Sequence, residues 1–442
     1  MKFNKWSLGL AAVGAVSMAS AVRADDAPKL SQVQTALSNT IISGYVSSSM
    51  NWQLTPGAGS GNGNGNANLG GNSLSGVANS PGGQIPLQSG KANGFNLDVV
   101  KLSISKAEDA TPYASGYEVD LLFGPDAVGW NPSTASNGSS TYNSEMAIQQ
   151  AYITLNTPVG NGIDWKFGVF NTVVGYEAFD PASNPNYTRS WGWAVEPTEH
   201  TGVLASYKVN DEFSFNAGVA NTLSAGINTR NTYDNSNGSA WHKTVMGSVT
   251  FTAPSNWGWA SGSAFYVGDV YGFTNPNGNS TETTQGTQGG CQNNFYAGAT
   301  LNSPWKDVTF GASFDYVQNA NGQYYNYGGN SFHINDYIFG LYNTIKATDK
   351  LSFNSRFEYW ETDAFSQTSG NYAAGDGGIA LTETVEYDLW ANVVSRVEIR
   401  YDKATSGIGN GGEGSDVSVL PNGAFVSNSS SVGIYANLVY KF

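Results

Sequence analysis

Alternating apolar and polar positions organise this chain around the stretch 145–208. The run 162–174 separates its residues by parity, with Ile163, Trp165, Phe167 and Val169 on one face and Asp164, Lys166 and Gly168 on the other. A period of two indicates a β-strand with one apolar face. A tight turn, 158–161, precedes this run, and a long irregular segment, 175–197, follows it. The rest of the chain repeats this unit.

Sixteen segments are predicted as strands on this pattern. They are 40–52, 95–106, 114–124, 145–157, 162–174, 198–208, 213–222, 241–253, 257–270, 293–303, 307–317, 335–346, 351–361, 379–389, 393–402 and 430–442. A tilted strand needs about 9 to 11 residues to cross a membrane, so each of them is long enough to do so.

The connections alternate between long and short without a slip. The long ones are 53–94, 125–144, 175–197, 223–240, 271–292, 318–334, 362–378 and 403–429, and the short ones are 107–113, 158–161, 209–212, 254–256, 304–306, 347–350 and 390–392. Outer-membrane barrels have an even strand count, short periplasmic turns and long extracellular loops. The sequence therefore predicts an all-β fold, a transmembrane antiparallel up-and-down β-barrel of about sixteen strands.

The N-terminus has the features of a secretory signal peptide. Lys2 and Lys5 precede an apolar stretch, and small residues surround a cleavage point after Ala24, with cleavage after Ala21 as the alternative. We predict a signal peptide at 1–24, a short periplasmic lead at 25–39 and the barrel domain at 40–442. Removing the signal peptide takes away three cations and changes the net charge from −14 to −17.

Composition supports a membrane β-structure. Charged residues are 12% of the chain, about half of the usual ~25%. The acidic balance argues against a nucleic-acid partner, which would need a basic stripe. Cys291 is the only cysteine, so no internal disulfide forms, and we interpret it as a bystander thiol.

The first long loop is rich in Gly, Asn and Ser, and its run 61–66 reads GNGNGN. Calcium-binding repeats need regularly placed aspartates. None occurs between Thr40 and Phe95, so no metal or cofactor is predicted.

Aromatic residues cluster beside the short turns: Tyr207, Trp257, Trp259, Trp305 and Trp390. They are predicted to form the inner aromatic girdle of the membrane boundary, with ordinary core packing as the alternative. The final strand places Leu438, Tyr440 and Phe442 on its apolar parity and ends on the aromatic ring. That ending resembles the signal read by the barrel assembly machinery, which is a predicted partner.

The stretch 44–211 resembles the putative β-barrel porin family (the OmpL-like, porin-2 group) of Gram-negative outer membranes. The matching residues are Gly44-Tyr45-Val46, Phe95-Asn96-Leu97, Ser105-Lys106, Gln150-Ala151-Tyr152-Ile153, Phe167-Gly168-Val169-Phe170, Gly175-Tyr176-Glu177, Asn186-Tyr187-Thr188-Arg189-Ser190 and His200-Thr201-Gly202. The long first loop departs from the family pattern. The resemblance implies an outer-membrane pore without naming a solute.

Strand number points to the same function. Barrels of about 16 to 18 strands leave an aqueous channel. We therefore expect a porin in the outer membrane that passes small hydrophilic solutes and ions by passive diffusion, with outer-membrane lipids and small polar solutes as its partners. Porins of this size are commonly trimers, but no residue here marks a subunit interface, so a homotrimer is left open.

The polar parity predicts the pore lining. Its candidates are Asp164, Lys166, Arg356, Glu358, Arg396, Glu398, Arg400 and Asp402. Both charge signs are present, as in a transverse field across an eyelet, and the alternative is that some lie at the interfaces. A parity slip between Val99 and Val100 predicts a bulge and leaves Lys101 poorly placed. Glu383 shares the lipid-facing parity of its strand, and the alternating pattern does not explain it.

The third long loop, 175–197, is the candidate constriction, because the loop at this position folds into the barrel in sixteen-stranded porins. Its proposed constriction residues are Tyr176, Glu177, Asp180, Arg189 and Glu196. The alternative is an outward loop packed on its neighbours. The acidic balance predicts a modest cation preference.

An enzyme is the first alternative to a pore. His200, His242 and His333 lie in or beside different loops, and no catalytic motif accompanies them, so an enzyme is not expected. A substrate-selective channel for sugars or oligosaccharides, a structural or adhesive surface barrel without transport, and a soluble secreted β-protein are the alternatives.

Overall fold

This computed structural model describes part of the chain. The described residues are 33–34, 39–54, 91, 93–109, 111–130, 146–223, 226–228, 243–273, 291–318, 324–327, 330–333, 335–362, 367–368, 371–372, 377–404, 418–419, 425–426 and 430–442. The predicted signal peptide, most of the predicted periplasmic lead, the run 61–66 and His242 lie outside them, so the predicted domain boundaries stay predictions.

Sixteen strands of the described part form one wall, numbered β1 to β16. They are Ile41–Gln53, Gly94–Lys106, Ser115–Phe123, Met146–Thr157, Ile163–Asn171, Glu199–Lys208, Phe213–Ala220, Thr244–Thr252, Ala264–Phe273, Cys291–Asn302, Val308–Gln318, Asn335–Lys346, Leu351–Thr362, Gly377–Trp390, Val393–Ala404 and Ser430–Lys441.

Short elements lie between these strands. The helices are α1, Pro125–Trp130, and α2, Trp191–Val195, with 3-10 turns at Pro181–Ser183 and Ser255–Ala260. Short strand pieces are Val33–Gln34, Tyr324–Tyr327, Asn330–His333, Gln367–Thr368, Asn371–Tyr372, Ser418–Val419 and Phe425–Val426. Among the described residues, no helix is both long and apolar enough to cross a membrane.

The sheet closes on itself. Every neighbouring pair from β1 to β16 is antiparallel. The last strand then pairs with the first, with Tyr45 opposite Lys441 and Gln53 opposite Gly433. Closure is required because lipid cannot satisfy the hydrogen bonds of an open edge. The predicted sixteen-strand barrel is confirmed.

One predicted strand boundary is wrong. The ninth strand was expected to begin at Trp257, but β9 begins at Ala264, and a 3-10 turn covers Ser255–Ala260. Trp257 and Trp259 mimic strand alternation. Gly258 between them has a φ of 62°, which an extended strand does not adopt. The other predicted boundaries lie within about three residues of the structure.

The alternation predicted for β15 is present in the structure. Arg396, Glu398 and Arg400 are buried on the lumen side, whereas Val397 and Ile399 are exposed on the outer surface. The predicted bulge in β2 lies one residue earlier than expected, because Asp98 and its neighbour both face inward at the register shift.

Candidate functional site

The connection between β5 and β6, residues 172–198, lies inside the barrel, and we call it the third loop. Its central residues Tyr187, Arg189 and Trp191 have almost no exposed surface. They touch strands that are far away along the sequence, as the following contacts show.

Arginines of β13 and β15 hold the backbone of the third loop. Arg396 donates to the carbonyls of Pro181 at 2.7 Å and Asn184 at 2.8 Å, Arg356 to Thr188 at 2.7 Å, and Arg400 to Arg189 at 2.8 Å. A guanidinium presents several donors in a fixed planar fork, so it suits this task.

Carboxylates on the same wall accept from the backbone amides of the loop. Glu398 accepts from Tyr187 at 2.6 Å and from Thr188 at 2.9 Å. Glu358 accepts from Trp191 at 2.5 Å. Charge-assisted bonds of this kind are the strong ones.

Five of the predicted pore-lining residues therefore lie beneath the third loop. Arg356, Glu358, Arg396, Glu398 and Arg400 face inward as the alternation predicted, but each is only 0 to 3% exposed. Asp402 pairs with Arg400 at 2.9 Å in the same layer. In this structure these side chains hold the third loop in place.

The five predicted constriction residues have separate positions. Glu177 is buried and pairs with Arg356 at 2.7 Å. Arg189 is buried and donates to the carbonyl of Phe179 at 2.5 Å. Asp180 keeps 35% of its side chain exposed.

Tyr176 packs in an aromatic layer on the opposite side of the loop. Its ring stacks on Tyr342 of β12 with centroids 4.0 Å apart. Gly311 lies directly beneath it, and a Cβ at that position would overlap the Tyr176 hydroxyl. Gly311 of β11 therefore leaves the space in which the Tyr176 ring packs.

Glu196 closes the loop beside Asp315 of β11. Burial, followed by the negative charge of Asp315, raises the pKa of Glu196 well above its ordinary value. Gly192 makes room for this pair, because a Cβ there would lie 2.6 Å from an Asp315 oxygen.

The side chain of Asp180, the partly exposed acid of the third loop, is bound by residues of β1 and β2. Lys101 of β2 lies 2.9 Å from Asp180 and 3.0 Å from Asp120, and the Tyr45 hydroxyl donates to Asp180 at 3.0 Å. Lys101 faces inward, which settles the position that the parity slip had obscured.

A second ionic cluster lies where the early loops meet. Lys91 pairs with Asp98 at 3.2 Å and also with Asp126 of α1. The Tyr187 hydroxyl of the third loop donates to Asp98 at 3.2 Å. These residues were not predicted from the sequence. The inward parity of Asp98 and Asp120 was the available signal, and the bulge obscured it.

Asp164 and Lys166 lie away from the third loop, in the half of the barrel near the short turns. Asn156 donates to Asp164 at 2.7 Å. The ammonium of Lys166 lies 4.6 Å from the centroid of the Tyr152 ring.

Neutral polar side chains continue around this half of the lumen. Ser206 donates to Asn216 at 2.8 Å, and Asn216 donates to Ser248 at 2.9 Å. Such a surface presents donors and acceptors to a passing hydrated solute.

The outward face of the described strands is largely apolar. The predicted girdle residues Trp257, Trp259, Trp305 and Trp390 are 51 to 69% exposed. Glu383 faces outward on β14, and Ser355 of β13 donates to it at 2.7 Å.

Phe442 and Gly44 join the two margins of the sheet. The amide of each donates to the carbonyl of the other, at 2.9 Å and 3.0 Å. The predicted assembly signal, Leu438, Tyr440 and Phe442, therefore lies at the seam of the barrel, with Leu438 and Tyr440 exposed on the outer face.

His200 lies near the start of β6, next to the third loop. His200 is buried, with a ring nitrogen 3.2 Å from the Thr172 hydroxyl. Within the described ranges, no three His, Cys, Asp or Glu residues are grouped to hold a metal ion.

Comparison with known proteins gives a match over most of the chain. The family model described as putative beta-barrel porin-2, OmpL-like, matches residues 42–434. This range extends the resemblance found in the sequence for 44–211. No curated protein matches the chain.

Solved structures share the architecture at low identity. The outer membrane channel DcaP of Acinetobacter baumannii has a TM-score of 0.55 at 11% identity, covering 93% of this chain and 100% of that one. The trimer form of OmpT of Vibrio cholerae has 0.52 at 14%, covering 91% and 99%. An anion-selective porin from Comamonas acidovorans has 0.51 at 10%, covering 91% and 99%. At these identities the likeness concerns the fold alone.

Proposed function

Because this chain belongs to the putative beta-barrel porin-2, OmpL-like family of outer-membrane proteins, we propose that it forms a water-filled channel for passive diffusion of small hydrophilic solutes and ions. The observation that carries this proposal is the third loop, which leaves β5, enters a closed sixteen-strand barrel and is bound to the far wall by Arg356, Arg396 and Glu398. A loop that is held in a fixed position inside the barrel narrows the channel. Such a loop does not open and close the channel by moving.

The lining favours hydrated solutes. Hydroxyl and amide groups occupy inward positions near the short turns, and the acid Asp180 on the third loop is 35% exposed. We propose Asp180 and Asp164 as lumen-facing members of the predicted site, together with Lys166. Conduction requires contacts that are favourable but weak, and dispersed polar groups supply them.

A modest cation preference is part of the proposal. Beside the third loop, Asp180 and Asp120 share one lysine, Lys101, so these three residues together carry one net negative charge. Reversal potentials across a planar bilayer under a potassium chloride gradient would measure it. A clear preference for chloride would contradict it.

A sugar-selective channel is the second candidate. Most aromatic rings of the third loop cannot stack on a sugar here, because Tyr176, Tyr187 and Trp191 are buried. Phe179 and Trp193 remain half-buried and pack on the cluster around Leu122. The structure thus gives the open sieve more support than the sugar channel.

Liposome swelling with graded sugars, amino acids and salts tests the channel directly. An open sieve gives rates that fall smoothly with solute size, whereas a selective channel favours one class at equal size. A structural or adhesive surface barrel gives neither swelling nor ion conductance, and that result would overturn the proposal.

The assembly partners are also proposals. We propose that the barrel assembly machinery recognises the final strand and that the barrel assembles as a homotrimer in outer-membrane lipid. Its fold resembles that of OmpT, which has been solved in a trimer form. Mass measurement of the barrel in mild detergent tests the trimer.

A further inference from the structure

Two carboxyl groups are in direct contact where the third loop ends. Glu196 directly follows α2, and Asp315 lies on the inward face of β11 with 2% of its surface exposed. A side-chain hydrogen bond joins the two residues. An ionised carboxylate can only accept such a bond, so one of the two groups must keep its proton. We call Glu196 and Asp315, which share this proton, the carboxyl pair.

Glu196 also contacts the beginning of the third loop. Its carboxyl group accepts a hydrogen bond from the backbone amide of Tyr176. Gly175, with a φ of 110°, lies so close that an added Cβ would overlap a Glu196 oxygen. Glu196 therefore links the first residues of the loop, its last residues and β11.

The backbone of α2 lies directly against the carboxyl pair. A Cβ added at Gly192 would lie 2.6 Å from an Asp315 oxygen and 3.7 Å from a Glu196 oxygen. One neutral contact holds the same segment, because the Asn294 amide donates to the carbonyl of Val195 at 2.9 Å. That amide does not titrate, so the carboxyl pair is the part of this attachment that responds to pH.

No cation neutralises the carboxyl pair. Among the residues that the structure describes, no lysine, arginine or histidine forms an ion pair with Glu196 or Asp315. The next charged group of the loop is Glu177, and its negative charge also acts on Glu196. Arg356 pairs with Glu177 at 2.7 Å. Its guanidinium is thus bound beside the carboxyl pair without joining it.

The neighbouring strands add no positive charge. Tyr296 of β10 lies opposite Asp315 in the register on one side, and Ile338 of β12 lies opposite it on the other. Both neighbours are almost completely buried. Two adjacent carboxylates that are both ionised in such surroundings repel each other. Loss of the shared proton therefore replaces a hydrogen bond with repulsion.

We propose that the carboxyl pair is a proton-dependent attachment, which holds the end of the third loop against β11 while Glu196 and Asp315 share a proton and releases it in alkaline solution. While the proton is shared, the loop stays fixed, as in the proposed channel. On release the proton passes to hydroxide in the solvent and no other group is changed. The consequence for transport, a wider and noisier lumen at alkaline pH, rests on the proposed channel.

The direction of the pH dependence follows from Glu196. Burial, followed by the negative charge of Asp315, raises the pKa of Glu196 well above its ordinary value. The proton is therefore kept above the pH at which an exposed glutamate loses it. The hydrogen bond is lost as the pH rises through this raised pKa, and acid solution leaves the attachment intact.

Hydrogen exchange of the backbone amides at 190–197 measures the attachment directly in the full-length protein in detergent. We expect the protection factor of this segment to fall by roughly tenfold between about pH 6 and about pH 9.5, the effect of losing one buried hydrogen bond. A protection factor is referred to the intrinsic exchange rate at each pH. The base catalysis of exchange itself is thus removed from the comparison.

Amide substitutions separate the shared proton from the packing. The amide in Glu196→Gln donates to the Asp315 carboxylate at every pH, and Asp315→Asn provides the same bond in the other direction. Each variant should therefore abolish the fall in protection at alkaline pH. Glu196→Ala cannot form the bond and should reduce protection at every pH.

Asp307→Asn is the matched control, because it removes an exposed carboxylate from the turn just before β11. This variant should keep the wild-type fall in protection. Retained gel mobility of the unheated barrel confirms that each variant is folded.

Planar-bilayer currents connect the attachment to the channel. Conductance and current noise should rise over the same pH range in the wild type and stay level in Glu196→Gln. Absence of any current contradicts the proposed channel, and the exchange experiment still decides whether the carboxyl pair acts as proposed. A fall in protection without any change in the current would overturn the inference that release widens the lumen.

Two results of the exchange experiment would overturn the proposal. The first is an equal fall in protection in the wild type and in both amide variants. The second concerns a divalent cation, which two carboxylates can also share. Protection that is lost on adding a chelator at constant pH and restored by calcium would assign the pair to a cation instead of a proton.

Discussion

The guanidinium of Arg396 donates to the carbonyl oxygen of Pro181 at 2.7 Å, across 215 residues of sequence. The same side chain pairs with Glu386 of β14 at 2.8 Å. Arg396 thus links the turn at Pro181, where the inner part of the third loop begins, to β14. That strand lies on the side of the barrel opposite β5, from which the loop starts.

Replacing Arg396 should loosen the third loop. We expect Arg396→Met to raise single-channel conductance and current noise, because the carbonyls of Pro181 and Asn184 lose their donors. It should also lower the free energy of unfolding by about 3 to 5 kcal/mol, since the buried carboxylate of Glu386 loses the guanidinium that pairs with it.

A double variant separates the two effects. Arg396→Met with Glu386→Gln should recover part of the stability and keep the altered conductance. Lys403→Met, on the exposed face of the same strand, should change neither quantity. Unchanged conductance and noise in the single variant would show that the loop does not depend on this contact.

Gly311 should tolerate no side chain while Tyr176 is present. An added Cβ would overlap the Tyr176 hydroxyl, so Gly311→Ala should displace the ring from Tyr342 and destabilise the barrel by about 1 to 3 kcal/mol. Urea unfolding monitored by tryptophan fluorescence measures the loss.

Removing the aromatic ring tests the cause. In a Tyr176→Ala background, Gly311→Ala should cost much less. Gly247→Ala is the matched control, because its nearest neighbour would be a carbonyl oxygen at 3.4 Å. Equal losses of stability with and without the Tyr176 ring would contradict the explanation that Gly311 leaves space for this ring.

Glu108, in the turn between β2 and β3, should make cation preference depend on pH. Burial, with the negative charges of Asp164 and Asp109, raises its pKa to about 7, against the opposing effect of the Thr154 hydroxyl. Its carboxylate is charged above that pH and neutral below it. Reversal potentials should therefore show stronger cation preference at pH 8 than at pH 6.

The substitution Glu108→Gln should flatten this dependence, and Asp109→Asn should not, because the pKa of the exposed Asp109 is lowered by bonds from Thr111. The effect on stability has a definite sign. A folded-state pKa above the ordinary 4.5 means that ionisation weakens the fold. That penalty is complete above pH 7 and disappears as the pH falls toward 4.5.

Glu383 should be a cost to the isolated barrel. It is an outward carboxylate among the exposed side chains of Leu381 and Val385, with Ser355 as its partner. Replacing it with leucine should raise the free energy of unfolding by about 1 to 2 kcal/mol in lipid, because charges on the lipid face are unfavourable.

Unfolding of Glu383→Leu and Ser355→Ala in vesicles measures this. Ser355→Ala should lower the free energy of unfolding slightly by removing the donor. A destabilised Glu383→Leu, combined with loss of the oligomer, would show instead that the carboxylate contacts another subunit.

Alternation was enough to predict the wall. In β15 every second residue from Arg396 to Asp402 is charged, and the structure places each of them on the lumen side. Period two fixes the face of a side chain because neighbouring residues of a strand point in opposite directions. Strand count and connection lengths then implied closure.

The sequence did not show which residues cover the lumen-facing side of each strand. Arg400 and Lys166 have the same inward parity, yet one lies under the third loop and the other lies beside the Tyr152 ring. Parity carries no information about contacts between residues hundreds of positions apart. The predicted strand start at Trp257 was wrong for a local reason. The alternating pattern does not reveal that Gly258 has a positive φ.

The attachment of Tyr187 to Glu398, 211 residues further along, has a consequence for biogenesis. A chain that has inserted only its first twelve strands has no wall on which to dock the segment that narrows the lumen. The passage is therefore defined late, when the seam between Gly44 and Phe442 forms. A truncated chain therefore lacks both the closed wall and the anchored loop that together define the passage.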